Sequence, residues 1–128
     1  MMKGTCKYST SAASKVTLGS YSAVTPSDRD QMYSALLTQP LAVSVDASGH
    51  AFQYYKKGIL DNANCGTDLD HAVLVVGYGT DVDSGLDYWT IKNSWGWYWG
   101  DNGYIKLAVR DGDGTCGVQM QPFTIDLK

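Results

Sequence analysis

The sequence predicts an α+β domain in which strands outnumber helices. Its 128 residues suffice for one core that buries roughly two thirds of the surface exposed by the unfolded chain. All 13 acidic residues are Asp and 14 residues are Gly, a composition that favours turns, caps and strands over long helices. One segment, at about residues 27–38, has convincing helical spacing, whereas several others look like strands.

The main helix has a recognisable start, apolar face and stop. Pro26–Ser27 offers the start, and Asp28 suits the first turn, where a carboxylate meets the positive end of the helix dipole. Met32 and Leu36, four residues apart, lie on one apolar face. Pro40 ends the helix because its ring cannot continue it.

The strands are indicated by apolar runs or by alternation. In chain order they are a weak extended pattern within residues 4–24, a strand at 40–47, the run 72–78, and alternating segments at 86–93, 103–109 and 123–127. A helical turn is expected over Ala51–Tyr55. Because Ala72–Tyr78 is continuously apolar, it predicts a buried strand at the centre of the core.

Charge and hydropathy argue against two classes of partner. Lys and Arg total 10, Asp and Glu total 13, and the net charge is -3, with no basic stripe of the kind that neutralises phosphates. No apolar run approaches the roughly 18 residues that a membrane helix needs. We expect neither nucleic acid nor a membrane as a partner.

The three cysteines, Cys6, Cys65 and Cys116, are an odd number, so at most one disulfide can form within the chain. A disulfide would indicate an oxidising compartment. A metal site built from these sulfurs would need closer spacing, such as Cys-x-x-Cys. The acidic loop 81–87 superficially suggests a calcium loop, but Lys92 stands where an EF-hand needs Glu. We expect no metal and no cofactor.

Of the two histidines, His71 is the more informative. It stands at the mouth of the most apolar strand, where an imidazole that titrates near neutral pH can act as a general base, although a lone His is more often structural. A catalytic His also needs a group that fixes its ring. The run Asn93–Gly100 supplies an amide flanked by large aromatic residues.

Several segments, taken in order, resemble one known family. The matching motifs are Leu69–Val73, Gly77–Gly79, Tyr88–Trp89, Lys92–Gly96, Trp99–Gly100 and Gly103–Ile105. They resemble the papain family of cysteine peptidases, in its cathepsin L-like branch, over nearly the whole chain. The resemblance implies the second, strand-rich domain of that family, with an antiparallel, barrel-like sheet, as a single domain over residues 1–128.

The resemblance also implies catalytic residues. In that family a histidine forms an ion pair with a cysteine thiolate and passes a proton to the leaving amine, and His71 matches it. Asn93 matches the Asn whose side-chain oxygen accepts from one ring nitrogen. Trp95 is expected to cover that hydrogen bond and exclude water from it. Trp99 matches an aromatic residue on the leaving-group side of the substrate.

A specificity pocket is implied in the same way, for the residue before the scissile one. Leu69, Ala72, Ser44 and Val45 match positions on its walls, and Gln121 matches its floor. Mostly apolar walls over an uncharged floor predict a preference for hydrophobic or medium side chains and little affinity for Arg.

Three further assignments follow from the resemblance. Cys65 and Cys116 match a family disulfide, and Cys6 matches a cysteine whose partner lies outside this chain. Asp70 has two interpretations: it contacts the substrate backbone or the interdomain cleft, or it caps the start of the strand that His71 opens.

One part of the family pattern is absent from this sequence. The segment like Cys-Gly-Ser-Cys-Trp that carries the nucleophile, and an upstream Gln that donates to the oxyanion, do not occur. We therefore expect the C-terminal half of a cysteine endopeptidase, inactive alone, whose partner is the Cys-bearing half or a covering chain and whose substrates are peptides. The resemblance implies a secretory, lysosomal, vacuolar or extracellular location. The alternative is a non-catalytic module with a binding or structural role.

Overall fold

The computed structural model describes residues 4–9, 16–62 and 64–127. Its elements in chain order are strand β1 (Leu18–Ala23), helix α1 (Arg29–Leu36), β2 (Leu41–Val45), helix α2 (His50–Gln53), β3 (Ile59–Leu60), β4 (His71–Thr80), β5 (Asp87–Lys92), β6 (Tyr104–Ala108), a 3-10 turn (Thr115–Gly117) and β7 (Phe123–Leu127). The predicted α+β class with one main helix is confirmed. No helix within those ranges is long and apolar enough to cross a membrane.

All seven strands belong to one sheet, in the order β1-β7-β2-β4-β5-β6-β3. Paired strands run antiparallel, except that β3 runs parallel to β6. The sheet is open rather than closed into a barrel in the part of the chain that is described, with β1 and β3 as its two edges. Strand β3 pairs with β6 through Ile59 and Leu60 alone. This edge strand is too short to extend the sheet from β3 toward β1.

Helix α1 begins two residues later than predicted. Ser27 has a φ of 56°, which lies in the left-handed region and outside a right-handed helix. Asp28 is the N-cap, and its carboxylate accepts from the backbone N–H groups of Asp30 (3.1 Å) and Gln31 (3.0 Å). Met32 is fully buried, so the predicted apolar face packs on the core.

Strand β4 is central in the sheet, but it is not buried on both faces as its apolar run predicted. Val73 and Val75 are buried, whereas Ala72 and Val76 are exposed. Successive side chains in a strand point to opposite faces, and α1 covers one face of β2 and β4. A register shift against β5 follows Val75. The predicted burial therefore holds for one face of β4, because an apolar run does not reveal how many faces of a strand are covered.

The other face of the sheet is apolar and open. A depression of about 300 Å³ on this face is lined by Leu18, Tyr21, Ala42, Phe123 and Ile125. Tyr21 meets Phe123 edge-on, with ring centroids 6.0 Å apart. The depression therefore joins β1, β2 and β7 in one uncovered apolar surface.

A buried glutamine fixes the chain that leads from β6 to β7. The side-chain oxygen of Gln119 accepts from the Trp89 indole N–H at 3.2 Å, and its amide nitrogen donates to the carbonyls of Arg110 (2.9 Å) and Gly112 (2.7 Å). Each polar atom of this fully buried side chain thus has a partner, as burial requires. The 3-10 turn just before Gln119 is thereby held against the ends of β2 and β6.

Candidate active site

The sheet register places His71 at one end of β4. His71 is the first residue of β4 and pairs with Val45, the last residue of β2. Two backbone hydrogen bonds extend this pairing: Asp70 N–H donates to the Val45 carbonyl (3.1 Å), and Asp46 N–H donates to the Cys116 carbonyl (2.9 Å). The ends of β2 and β4 and the 3-10 turn therefore meet beside His71.

A buried carboxylate holds the loop that leads into His71. Asp46 accepts at Oδ1 from the Ser48 hydroxyl (2.7 Å) and backbone N–H (3.1 Å), and at Oδ2 from the Asp68 N–H (3.2 Å). The hydrogen bond from the Ser48 hydroxyl, more than the opposing effect of burial, holds the pKa of Asp46 below its usual value. A Cβ at Gly66 would collide with this carboxylate, so the loop depends on glycine there.

A disulfide clamps the same loop from its other side. Cys65 and Cys116 are bonded, as the resemblance implied, while Cys6 is a free and exposed cysteine. The bridge spans 51 positions of sequence. Closing a loop of that length stabilises the fold by about 4 kcal/mol in the chain-entropy model.

His71 and Asn93 are in direct contact. His71 Nε2 lies 2.8 Å from Asn93 Oδ1. The same oxygen accepts from the Ser94 backbone N–H at 2.7 Å, which identifies it as the amide oxygen rather than the nitrogen. Nε2 must therefore carry the proton that it donates, which leaves Nδ1 as the ring nitrogen able to accept one.

Burial strengthens the hydrogen bond between His71 and Asn93. Asn93 follows β5 directly and is 8% exposed. Its Oδ1 is satisfied twice, whereas its buried Nδ2 has no hydrogen-bond partner within the described residues. Because little water reaches Asn93, the hydrogen bond from His71 Nε2 to its Oδ1 is electrostatically stronger than it would be in solvent.

Three aromatic rings pack together beside the His71 ring. Trp95 stacks on His71, with centroids 5.0 Å apart and planes inclined by 28°. Phe52, from α2, meets His71 edge-on at 6.5 Å and Trp95 edge-on at 5.6 Å. Trp99 closes the group against Trp95 at 5.2 Å and against Phe52 at 5.4 Å. The rings of Phe52, Trp95 and Trp99, called the inner rings below, limit the movement of the imidazole.

Phe52 was not predicted as part of the site. It is fully buried and touches His71, Trp95 and Trp99. The available signal was one apolar residue in a predicted helical turn, and such a residue is usually explained by general core packing. The Trp99 indole N–H also donates to the carbonyl of Gln53 at 2.9 Å, which ties the tryptophan loop to α2.

The residues predicted to line the specificity pocket do not all face the same space. Ser44 pairs directly with Ala72 across β2 and β4, so the two share the open face of the sheet. Gln121 is exposed. Val45 is fully buried in the core, so its prediction as a pocket wall is wrong. It follows Ser44 on the same strand, and neighbouring strand residues point to opposite faces.

Leu69 has a neighbour that sequence analysis missed. A Cβ at Gly117 would lie 2.7 Å from Leu69 Cδ2 and 3.0 Å from the Met120 sulfur, so both side chains pack over this glycine. Gly117 has a φ of 71°, a conformation that a residue with a Cβ adopts with strain. Met120 therefore belongs to the same apolar surface as Leu69, a relation that becomes visible when the 3-10 turn is in place.

Asp70 accepts a hydrogen bond from another part of this chain. Its Oδ1 accepts from the Ala47 N–H at 2.8 Å, which joins the start of β4 to the segment after β2. Of the two interpretations of Asp70, this contact favours the strand-start cap.

Comparisons with known proteins agree with this geometry. The family described as papain family cysteine protease matches residues 1–125. Vignain from Ricinus communis is 42% identical over 120 residues, which cover 92% of this chain and 33% of the relative. Cysteine proteinase RD21A from Arabidopsis thaliana is 41% identical over 121 residues, which cover 93% of this chain and 26% of the relative.

A solved structure shows the same fold. Bromelain protease from Ananas comosus, solved in complex with the inhibitor E64, superposes with a TM-score of 0.84 at 41% identity, covering 98% of this chain and 58% of that one. The chain spans between about a quarter and a third of the length of these two curated relatives. The family match over almost the whole sequence, together with this superposition, shows that the chain belongs to the papain family of cysteine proteases.

Proposed function

We propose that this chain supplies the general acid/base and its orienting amide to a cysteine endopeptidase. The main observation in support of this proposal is the hydrogen bond between His71 Nε2 and Asn93 Oδ1 beneath the stacked Trp95 ring. Because Nε2 is occupied by Asn93, Nδ1 is the nitrogen left to exchange a proton with a thiol. A neutral amide orients the ring without adding a charge, which suits a histidine that becomes an imidazolium.

The reaction would proceed through a thioester. The cysteine thiol gives its proton to His71 Nδ1, and the resulting thiolate attacks the carbonyl carbon of the scissile peptide bond. The tetrahedral intermediate collapses as the C–N bond breaks, and the imidazolium passes the proton to the leaving amine. Water then attacks the thioester and gives a proton to the same nitrogen, the C–S bond breaks to release the carboxylic acid, and the thiolate recovers the proton from the imidazolium.

The thiol belongs to a portion of the protein outside this chain. Cys65 and Cys116 are joined to each other, and none of the three cysteines stands in a Cys-Gly-Ser-Cys-Trp-like segment. Relatives that are three to four times as long leave room for a Cys-bearing domain. In this proposal residues 1–128 form one domain, which has no peptidase activity alone.

The open apolar face of the sheet supports a covering partner. The depression between β1, β2 and β7 is lined by carbon-rich side chains, and Ser44 and Ala72 lie on the face of the sheet that α1 leaves uncovered. An apolar surface of this kind is a liability in water unless another domain packs on it. The Cys-bearing portion is the occupant that would also complete the active site.

Substrate preference follows from the remaining pocket residues. Leu69, Ala72 and Ser44, with Met120 beside Leu69, present a largely apolar wall, and Gln121 is uncharged. Such a pocket would favour hydrophobic or medium side chains of a peptide, since none of these five side chains is a carboxylate that could pair with Arg. Trp99 would flank the leaving-group side.

A disulfide-bonded protease of this family would work in the secretory pathway, in a lysosome or vacuole, or outside the cell. The Cys65–Cys116 bridge supports an oxidising compartment.

Turnover by the assembled protein tests the proposal. The chain is produced with the Cys-bearing portion of its source protein, and kcat/KM is measured on a peptide with an apolar residue before the scissile one. His71→Ala should abolish nearly all turnover, and Asn93→Ala should reduce it less, because Asn93 acts through the ring. The rate should rise and then fall with pH, as the thiolate–imidazolium pair forms and then loses its proton.

Two results would count against the proposal. Equal losses from His71→Ala and Asn93→Ala would contradict the division of roles. An assembled wild-type protein that binds peptides without cleaving them would favour the non-catalytic binding module.

A further inference from the structure

Asp46 is a buried titratable group that the proposed reaction does not use. It is 5% exposed, and within residues 4–9, 16–62 and 64–127 it forms no ion pair. The groups that donate to its carboxylate are neutral, namely the hydroxyl and N–H of Ser48 and the N–H of Asp68. Burying a carboxylate costs free energy unless hydrogen bonds compensate it. In return, a carboxylate can accept from two segments of chain at once, which an apolar side chain cannot do.

The Asp46 carboxylate lies directly against the segment that leads to β4. Ser48 fixes its orientation through two hydrogen bonds to Oδ1, and Oδ2 accepts from the Asp68 N–H at 3.2 Å. A Cβ at Gly66 would collide with Oδ2. The φ of Gly66 lies outside the left-handed region, so glycine provides space here rather than a special conformation. The path of residues 66–68 therefore depends on where this carboxylate stands.

The start of β4 is paired with a neighbouring strand on one side only. The first three residues of β4 pair with β2, whereas the pairing between β4 and β5 begins at Leu74. His71 is the first of these residues, and its partner Val45 immediately precedes Asp46. The hydrogen bond from the Asp68 N–H to Asp46 lies three residues before His71. It therefore holds the chain just outside the end of the ladder, where β5 gives no support.

Asn93 is fixed independently of this segment. The Asn93 N–H donates to the Gly103 carbonyl at 3.0 Å, and its Oδ1 accepts from the Ser94 N–H at 2.7 Å. The distance of 2.8 Å from this oxygen to His71 Nε2 leaves little room for error, because a hydrogen bond weakens steeply as its angle and length depart from the optimum. A shift at the start of β4 would move the imidazole relative to a stationary amide.

We propose that Asp46 is a positioning residue for His71, whose carboxylate sets the start of β4 so that the imidazole meets Asn93. Asp46 acts through the backbone that leads to His71 rather than on the reacting atoms. The kinetic consequence rests on the proposed function, because a displaced ring would hold Nδ1 out of line with the thiol. The structural consequence, a hydrogen bond from Nε2–H to Asn93 Oδ1, does not depend on that function.

The kinetic test compares two substitutions that each remove one carboxylate charge. Asp46→Asn replaces the acceptor Oδ2 with a donor, whereas Asp68→Asn, the matched control, changes an exposed side chain and keeps the N–H that donates to Asp46. In the assembled protease, under conditions in which both variants are folded, Asp46→Asn should lower kcat about ten- to a hundredfold. KM should change less than about twofold, because the chemical step is the one affected. Asp68→Asn should leave both constants unchanged.

NMR of the His71 ring provides a readout that a general loss of stability does not change. The assembled protein is labelled with nitrogen-15 histidine, and the His71 signals are assigned with His71→Ala. The Nε2–H proton should exchange with water at the same rate in wild type and Asp68→Asn, and about three- to tenfold faster in folded Asp46→Asn. A wild-type kcat in Asp46→Asn, or an exchange rate equal to that of Asp68→Asn, would overturn the inference and leave Asp46 as a stabilising residue alone.

A second variant and the wild type cover the remaining outcomes. If Asp46→Asn does not fold, Ser48→Ala removes the hydroxyl that orients the carboxylate, and it should lower kcat and speed Nε2–H exchange about threefold. Unchanged values in Ser48→Ala would then overturn the inference. If the wild-type assembled protein cleaves no peptide, the proposed function fails, and the exchange rates alone decide whether Asp46 positions His71.

Discussion

The loop between β5 and β6 places the same kinds of side chain in opposite environments: Trp95 and Trp99 belong to the inner rings, whereas Trp97 and Tyr98, called the outer rings, are exposed. Trp95 and Trp99 pack against Phe52 and the core, and Trp95 stacks on His71. Trp97 and Tyr98 contact each other and leave most of their surface in water. Packing on Phe52 holds Trp95 and Trp99 beside the imidazole, whereas the outer rings remain largely in water.

The difference arises from backbone geometry rather than residue type. The turn closed by the Trp99 N–H and the Gly96 carbonyl directs its two central residues away from its flanks. Gly96, with a φ of 95°, permits the reversal that a side chain would disfavour. The hydrophobicity of an aromatic residue in this loop therefore does not indicate whether its ring is packed or exposed, whereas its position in the turn does.

Removing the centre of the inner rings should give the largest loss of stability. Phe52→Ala empties a fully buried site and should lower the free energy of unfolding by about 3–5 kcal/mol. Chemical denaturation of the purified protein measures this loss. Tyr54→Ala, two residues away but 69% exposed, is the matched control and should cost less than about 1 kcal/mol. Similar losses from both variants would break the distinction between buried and exposed rings.

Trp95→Ala should have a smaller effect on stability and a clear effect on the site. Trp95 is half-buried, and losing its packing should cost about 2 kcal/mol. The His71 ring would lose the surface on which it stacks, so kcat of the assembled protease should fall beyond what the fraction unfolded explains. Trp95→Phe should recover part of kcat. An unchanged kcat in Trp95→Ala would show that the stack does not position His71.

The hydrogen bonds of the buried Asp46 carboxylate offer a test that does not depend on the aromatic rings. Asp46→Asn replaces the oxygen that accepts from the Asp68 N–H with a donor, and should cost about 1 kcal/mol at neutral pH. Because the pKa of Asp46 is lowered in the folded state, its contribution is complete above the unfolded value of about 3.9. The contribution disappears as the pH falls through the folded pKa.

Urea denaturation at several pH values checks this sign. The difference between wild type and Asp46→Asn should be constant from pH 7 to about 5 and shrink below about pH 4. Asp83→Asn, in an exposed loop, is the control and should change the free energy of unfolding little at any of these values. A difference that grows as the pH falls would contradict the lowered pKa.

Truncating the outer rings should have the smallest effect on stability. Trp97→Ala and Tyr98→Ala should each change the free energy of unfolding by less than about 0.5 kcal/mol, because little of either ring is removed from water on folding. Thermal and chemical denaturation measure this. A loss above about 2 kcal/mol in either variant would show that the outer rings support the fold.

Local patterns predicted the elements better than they predicted which faces are covered. The start of α1, predicted to within two residues, the strands and the stop before Pro40 depend on capping, alternation and ring chemistry that neighbouring residues determine. The burial of Val45 and the exposure of Ala72 depend on which face of the sheet α1 covers, and the bulge after Val75 depends on pairing with β5. None of these can be derived from a single segment.

The residues of the candidate active site also differ in how well the sequence predicted them. The residue types and order around His71 and Asn93 carried the family resemblance, and the structure brings those two side chains into contact. Phe52 and Met120 reach the site through α2 and the 3-10 turn, which are far from His71 in sequence. Their contribution depends on tertiary packing, so no local sequence motif predicts it.

Covalent labelling tests the central claim most directly. The assembled protein is incubated with a thiol-reactive, peptide-like inhibitor, and intact and peptide masses identify the modified cysteine. We expect one label on a cysteine outside this chain, formed quickly in wild type and many times more slowly in His71→Ala. Labelling that occurs at Cys6, or at a rate that does not depend on His71, would contradict the claim that this chain supplies the base for a cysteine nucleophile.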